Sequence, residues 1–105
     1  MSGERWGWAE WQQATLALER RDGDRCGWCG QPLAGRAVRH HRQRRGVGGD
    51  HLANLVLLHD GCHTSVHSHP VLARERGFIV PTWDDFTTAP ITMKTPLGLV
   101  EKVLG

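Results

Sequence analysis

Seven histidines and three cysteines occur in this chain, and all the cysteines and six of the histidines fall between positions 26 and 67. Imidazole and thiolate are costly to cluster without a metal to hold or a proton to move, and their spacing suggests two sites. Two residues separate Cys26 from Cys29, and two separate His59 from Cys62 about thirty residues later. A gap of that size lets one turn present both ligands to one ion. Three thiolates and an imidazole form the closed tetrahedral donor set that zinc favours, so Cys26, Cys29, His59 and Cys62 read as a structural zinc site.

The remaining imidazoles suit chemistry rather than closure. His63 and His67 are four residues apart and share one face of a helix. His40 and His41 are adjacent, and neighbours on a strand point to opposite faces. One of the doublet can therefore face a metal and the other a water, with spacing alone leaving the two roles exchangeable. Neutral imidazole has a pKa close to the working pH, which makes it an effective general base.

Between Arg25 and Gly49 there are six arginines and no carboxylate. A basic run beside a histidine cluster is an electrostatic footprint for phosphate. Arg39, Arg42, Arg44 and Arg45 are the candidate contacts to such a phosphate. The formal net charge of +2 is small, and the balance of 39% hydrophobic to 23% charged residues describes one small folded domain spanning residues 1–105. No apolar run is long enough to cross a membrane, and the first residues lack a secretory pattern. An odd number of cysteines at ligand spacing favours a reducing, cytoplasmic setting with bound metal over a disulfide framework.

The elements that must position these groups follow from periodicity and breakers. Residues 8–21 read as an amphipathic helix turning Trp8, Trp11, Leu16 and Leu18 to the core, with an exposed Trp6 or Trp8 free to touch DNA; Asp22-Gly23-Asp24 ends it. Ala37 to His41 reads as a strand, and 42–52, with Gly46, Gly48 and Gly49, as a loop. Leu55-Val56-Leu57-Leu58 is a buried strand broken by Asp60-Gly61, with a helix from Cys62 to Ser68. Pro70 starts another helical turn that Gly77 closes, and Phe78-Ile79-Val80 reads as a short strand. In the extension 82–105, residues 91–94 and 99–103 can pair as a hairpin.

The stretch CGWCG … VRHHRQRRGVGGDHLANLVLLHDGCHTSVHSHP, from Cys26 to Pro70, resembles the HNH nuclease family. Its continuation, HSHPVLARERGFIVPTWDD, resembles small HNH endonucleases of actinobacterial phages and prophages. The resemblance implies an α+β fold, a zinc-stapled ββα-metal (HNH/His-Me finger) domain. Its motif core would span 26–70, with an N-terminal helix and a short C-terminal hairpin.

It also implies a metal-dependent DNA endonuclease that hydrolyses phosphodiester bonds. His41 matches the motif base, and Asn54 the motif Asn that bonds backbone across the loop and orients the base. His63 matches the last motif His, a metal ligand. A His at position 40 and another at 67 is similar to the colicin-type DNases, whose three-histidine site would here be His40, His63 and His67. One divalent ion, Mg2+, Mn2+, Ni2+ or Zn2+, suffices in the family. The same resemblance implies a monomer or weak dimer in the host cytoplasm with DNA as partner, acting either beside a phage terminase in genome packaging or as a free-standing homing or restriction nuclease. The alternatives are a non-catalytic zinc-stabilised DNA-binding module and an RNA-directed nuclease or nickase.

Overall fold

The computed structural model describes residues 5–105; the reading of the extreme N-terminus as free of a secretory signal falls partly on residues 1–4, outside those described. Helix α1 (Trp8–Asp22) ends where Gly23 adopts φ 73° and donates its N–H to the Glu19 carbonyl, a left-handed cap that glycine adopts without Cβ strain. Its buried side is narrower than expected. Ala14 and Leu18 are buried and Trp11 is half-buried, whereas Trp8 is 77% and Leu16 54% exposed. Leu16 is two positions from Leu18 and so lies on the far side of the helix.

Strands β1 (Ala37–His41) and β2 (Leu55–His59) form an antiparallel pair, with His40 opposite Val56 and His41 opposite Leu55. Leu55 to Leu58 are buried on both faces, as their unbroken apolar run requires. The connection expected to be a plain loop contains a helical turn, α2 (Arg45–Gly48), and a 3-10 turn at Leu52–Asn54. Helix α3 (Asp60–Ser68) starts two residues early: Asp60-Gly61 form its first turn instead of a break, placing a carboxylate at the positive helix end. Helix α4 (Pro70–Glu75) begins on its proline.

Phe78 to Val80 is not a strand. The segment meets the end of β1 through one hydrogen bond, Val80 N–H to the Arg42 carbonyl at 2.9 Å, while Phe78 N–H turns back to Ala73 and its ring fills the core. The last hairpin does form, as β3 (Ile91–Thr95) and β4 (Gly98–Lys102). It buries Ile91 and Met93 and is stitched to the cysteine turn by Lys94 N–H to the Gly27 carbonyl at 3.0 Å. Lys102 reaches Asp22 of α1 at 3.2 Å. The result is a small mixed α/β fold with an N-terminal helix and two hairpins. Among the described residues, no helix is long and apolar enough to cross a membrane.

Candidate functional site

The turn after α1 supplies Cys26 and Cys29, the end of β2 supplies His59, and the first turn of α3 supplies Cys62. Their ligand atoms lie within 4.8 Å of one another. His59 Nδ1 is 3.4 Å from Cys29 Sγ and 4.0 Å from Cys62 Sγ. His59 Nε2 sits 2.9 Å from the Pro32 carbonyl, an acceptor only, so the ring proton belongs on Nε2 and Nδ1 keeps its lone pair for the cluster.

The thiols show what the cluster needs. Burial raises the Cys26 pKa, but backbone N–H groups of Cys29, His59 and Trp28 outweigh it and leave the thiol below its ordinary value. Cys62 is pushed up to about 12, by burial first and then by the neighbouring Cys26 and Cys29 sulfurs. Three sulfurs this close cannot all ionise without a cation among them. The four residues can hold a structural metal such as zinc.

A second convergence joins His40 of β1 to His63 and His67 of α3, again with ligand atoms within 4.8 Å. His63 and His67 bring their Nε2 atoms to 3.1 Å. Two nitrogens bound tetrahedrally to one ion at ordinary Zn–N lengths are about 3.3 Å apart, so the spacing fits shared coordination. His40 is 1% exposed, and its Nε2–H donates to the Phe78 carbonyl at 2.6 Å, freeing Nδ1. Burial, reinforced by the charges of His63, His67 and His41, pushes its pKa down to about 4. His63 is also lowered, by burial and then by His67. Neutral imidazoles offer lone pairs. Unlike the sulfur-rich cluster, this one has three protein donors and an exposed member, His67.

His41 points to the other face of β1, as strand alternation demands. Its Nε2 is 2.9 Å from Oδ1 of Asp50, which is fully buried. Arg45 grips both Asp50 oxygens, Nε at 2.9 Å and Nη2 at 2.7 Å, and the Trp6 backbone N–H donates to Oδ2. Burial opposes ionisation of Asp50, but the hydrogen bonds from Arg45, His41 and Trp6 prevail and hold it below the usual carboxylate range. An ionised carboxylate only accepts, so Nε2 carries the ring proton and Nδ1 is left with the lone pair. The ring borders an open cleft of about 400 Å³, lined also by Trp11, Arg39 and Arg45. Sequence reasoning missed Asp50, although it is the one carboxylate between Asp24 and Asp60.

Asn54 is fully buried. Its Oδ1 accepts from Gln43 N–H at 2.7 Å, and its Nδ2 donates to the Gln43 and Gly49 carbonyls at 2.9 and 3.0 Å. A Cβ on Gly48 would come within 2.8 Å of that amide nitrogen, which accounts for glycine there. Asn54 thus pins the loop backbone as expected, but the imidazole nitrogen is fixed by Asp50 rather than by Asn54.

The arginines divide. Arg44 is exposed, Arg39 lies with its guanidinium 4.1 Å from the Trp11 ring centre at the cleft, and Arg45 is committed to Asp50 on one side of the same cleft. Arg42 corrects the sequence reading: it is 2% exposed and cannot reach DNA. Its guanidinium donates to the carbonyls of Gly77, Ala53, Phe86, Ala89 and Pro90, clamping the C-terminal half onto the β1–β2 connection. His51 and His69 stay outside both clusters, bonding to Ala53 N–H and to the Ser65 carbonyl.

No family model matches this chain, and no curated protein or solved structure matches it.

Proposed function

We propose that the protein is a metal-dependent DNA endonuclease of the HNH type, with His41 as general base. The observation that carries this reading is the pairing of an open three-histidine cluster with a second imidazole on the same strand, held in one tautomer by a buried carboxylate. His40, His63 and His67 would hold one divalent ion, which when bound supplies Lewis acidity and stabilises the departing oxygen.

The chain's own groups do the rest. His41 Nδ1 accepts a proton from a water whose oxygen bonds to phosphorus as the bond to the 3′ oxygen breaks. Asp50 keeps the proton on Nε2 and stabilises the imidazolium that forms. Arg39 and Arg44 contact flanking phosphates, and Arg45 carries out its positioning of Asp50 from the cleft wall. The metal-binding and base faces lie on opposite sides of β1, so the scissile phosphate would cross the strand edge that β2 does not occupy. The Cys26/Cys29/His59/Cys62 cluster keeps β2 and α3 in register for this arrangement.

Conversion of supercoiled plasmid in Mg2+ or Mn2+, with and without chelator, tests the proposal. The expected result is metal-dependent nicking or linearisation by the wild type and none by folded His41→Ala. Shifted but uncut DNA across several divalent ions would instead identify a non-catalytic DNA-binding module. Co-purification with a terminase large subunit would connect the activity to genome packaging.

A further inference from the structure

A second strongly basic feature lies outside the histidine sites. The C-terminal turn of α1, the start of the cysteine turn and the β3–β4 hairpin enclose a cleft of about 380 Å³ lined by Arg20, Arg21, Arg25, Lys94 and Lys102. Asp22 is the one carboxylate in its lining, and it is already taken: Arg21 meets it at 2.8 Å and Lys102 at 3.2 Å. Arg25 spends one nitrogen on the Gly30 carbonyl at 3.0 Å. Arg20 and Lys94 are exposed, and among the described residues neither forms an ion pair with a carboxylate.

Local propensity explains part of this. A helix C-terminus favours cations such as Arg20 and Arg21. It explains neither why Lys94, from the far end of the chain, comes to the same place nor why Arg25 does, whereas Lys102 is drawn there by Asp22. Like charges repel, so three unpaired cations gathered at one cleft leave a positive potential there for an anion to meet. Three cations without a carboxylate partner among the described residues, Arg20, Arg25 and Lys94, thus meet around one concavity.

We propose that this cleft is a nucleic-acid backbone exosite, in which Arg20, Arg25 and Lys94 neutralise phosphates away from the cleavage centre. The C-terminal hairpin then has a binding role beyond packing. The inference rests on the endonuclease reading for its choice of partner, but it stands or falls on binding rather than cleavage. Each neutralised phosphate contributes about 0.9 to the slope of log affinity against log salt on duplex DNA.

The test measures binding of a duplex oligonucleotide at several salt concentrations, in a His41→Ala background that leaves the DNA intact. Arg20→Ala/Lys94→Ala should bind roughly ten-fold more weakly at low salt, with the slope shallower by about 2. Arg20→Lys/Lys94→Arg should restore both, separating charge from shape. Zinc content and far-ultraviolet circular dichroism of each variant verify the fold. Unchanged affinity and slope in a folded Arg20→Ala/Lys94→Ala variant would overturn the exosite, even where the unmodified chain cleaves plasmid. Conversely, the same loss of slope in a chain that never cleaves would uphold the exosite while the nuclease reading fails.

Discussion

His41 Nε2 lies 2.9 Å from Oδ1 of Asp50, nine residues further along, and the carboxylate has no exposure to solvent. A buried acid that bonds one imidazole nitrogen decides which nitrogen is left to act. The pair is closed off by Arg45, whose hydrogen bonds help hold the Asp50 carboxyl below the usual carboxylate range although burial opposes its charge.

Asp50→Asn should therefore lower DNA cleavage by at least about 100-fold, within the range expected for loss of correctly poised general-base catalysis. Nitrogen-15 NMR of the ring supplies a readout that a merely structural role would not move. The wild type should show the Nε2–H tautomer of His41, and the variant a mixture. Full activity with an unchanged tautomer would remove Asp50 from the mechanism.

Arg42 should matter for folding and not for DNA. Arg42→Met leaves buried carbonyls without donors, at a cost of about 3 kcal/mol or more in unfolding by denaturant. DNA affinity of the folded fraction should keep the wild-type salt dependence. A variant of normal stability with a shallower salt slope would return Arg42 to the DNA-contact set.

Much of the site could be read from spacing, because metal-ligand gaps and strand alternation are local properties. The two ligand quartet pairs, the i and i+4 histidines and the opposed His40 and His41 all depend on one turn or one strand. Arg42 and Asp50 could not be read that way. Arg42 lies in the basic stretch and Asp50 just after it, and which side chain turns inward depends on where residues 77–90 and Trp6 arrive in space. Likewise Phe78 to Val80 has strand-like residues, but its backbone N–H groups bond to Ala73 and, only once, to the end of β1, so β propensity yields to tertiary context. The terminal hairpin was legible from its turn, whereas the company its lysines keep with α1 was not.

His40 should make stability depend on acidity. Its pKa is near 4 in the native fold and near the ordinary 6.5 when unfolded, so between these values the unfolded chain binds a proton that the native one refuses. Its contribution is complete above about pH 6.5 and is lost as pH falls toward 4, amounting to roughly 3 kcal/mol. Release of any metal held by the cysteines would overlap this range, so the relevant quantity is the difference between wild type and His40→Gln in urea unfolding from pH 7 to 4.5. The variant should lack that part of the slope; parallel curves would contradict a buried neutral His40.

Removing metal from the sulfur-rich cluster should unfold the domain, because the turn after α1, β2 and α3 all meet there. Chelation, or Cys62→Ser, should expose Trp28, which packs edge-on to Phe78 at 5.1 Å, and red-shift tryptophan emission. Apparent binding energies on the order of 10 kcal/mol in small zinc domains make restoration by added Zn2+ expected. A native spectrum in metal-free protein would show that the cysteines contribute no more than packing.

The central claim is a division between one metal enclosed by sulfur and another left open among imidazoles. Anomalous diffraction from zinc-loaded crystals soaked in Mn2+, collected on either side of each absorption edge, tests it directly. Zinc is expected at Cys26, Cys29, His59 and Cys62, and manganese at His40, His63 and His67 with solvent completing its shell. A single metal peak, at the cysteines alone, would contradict it.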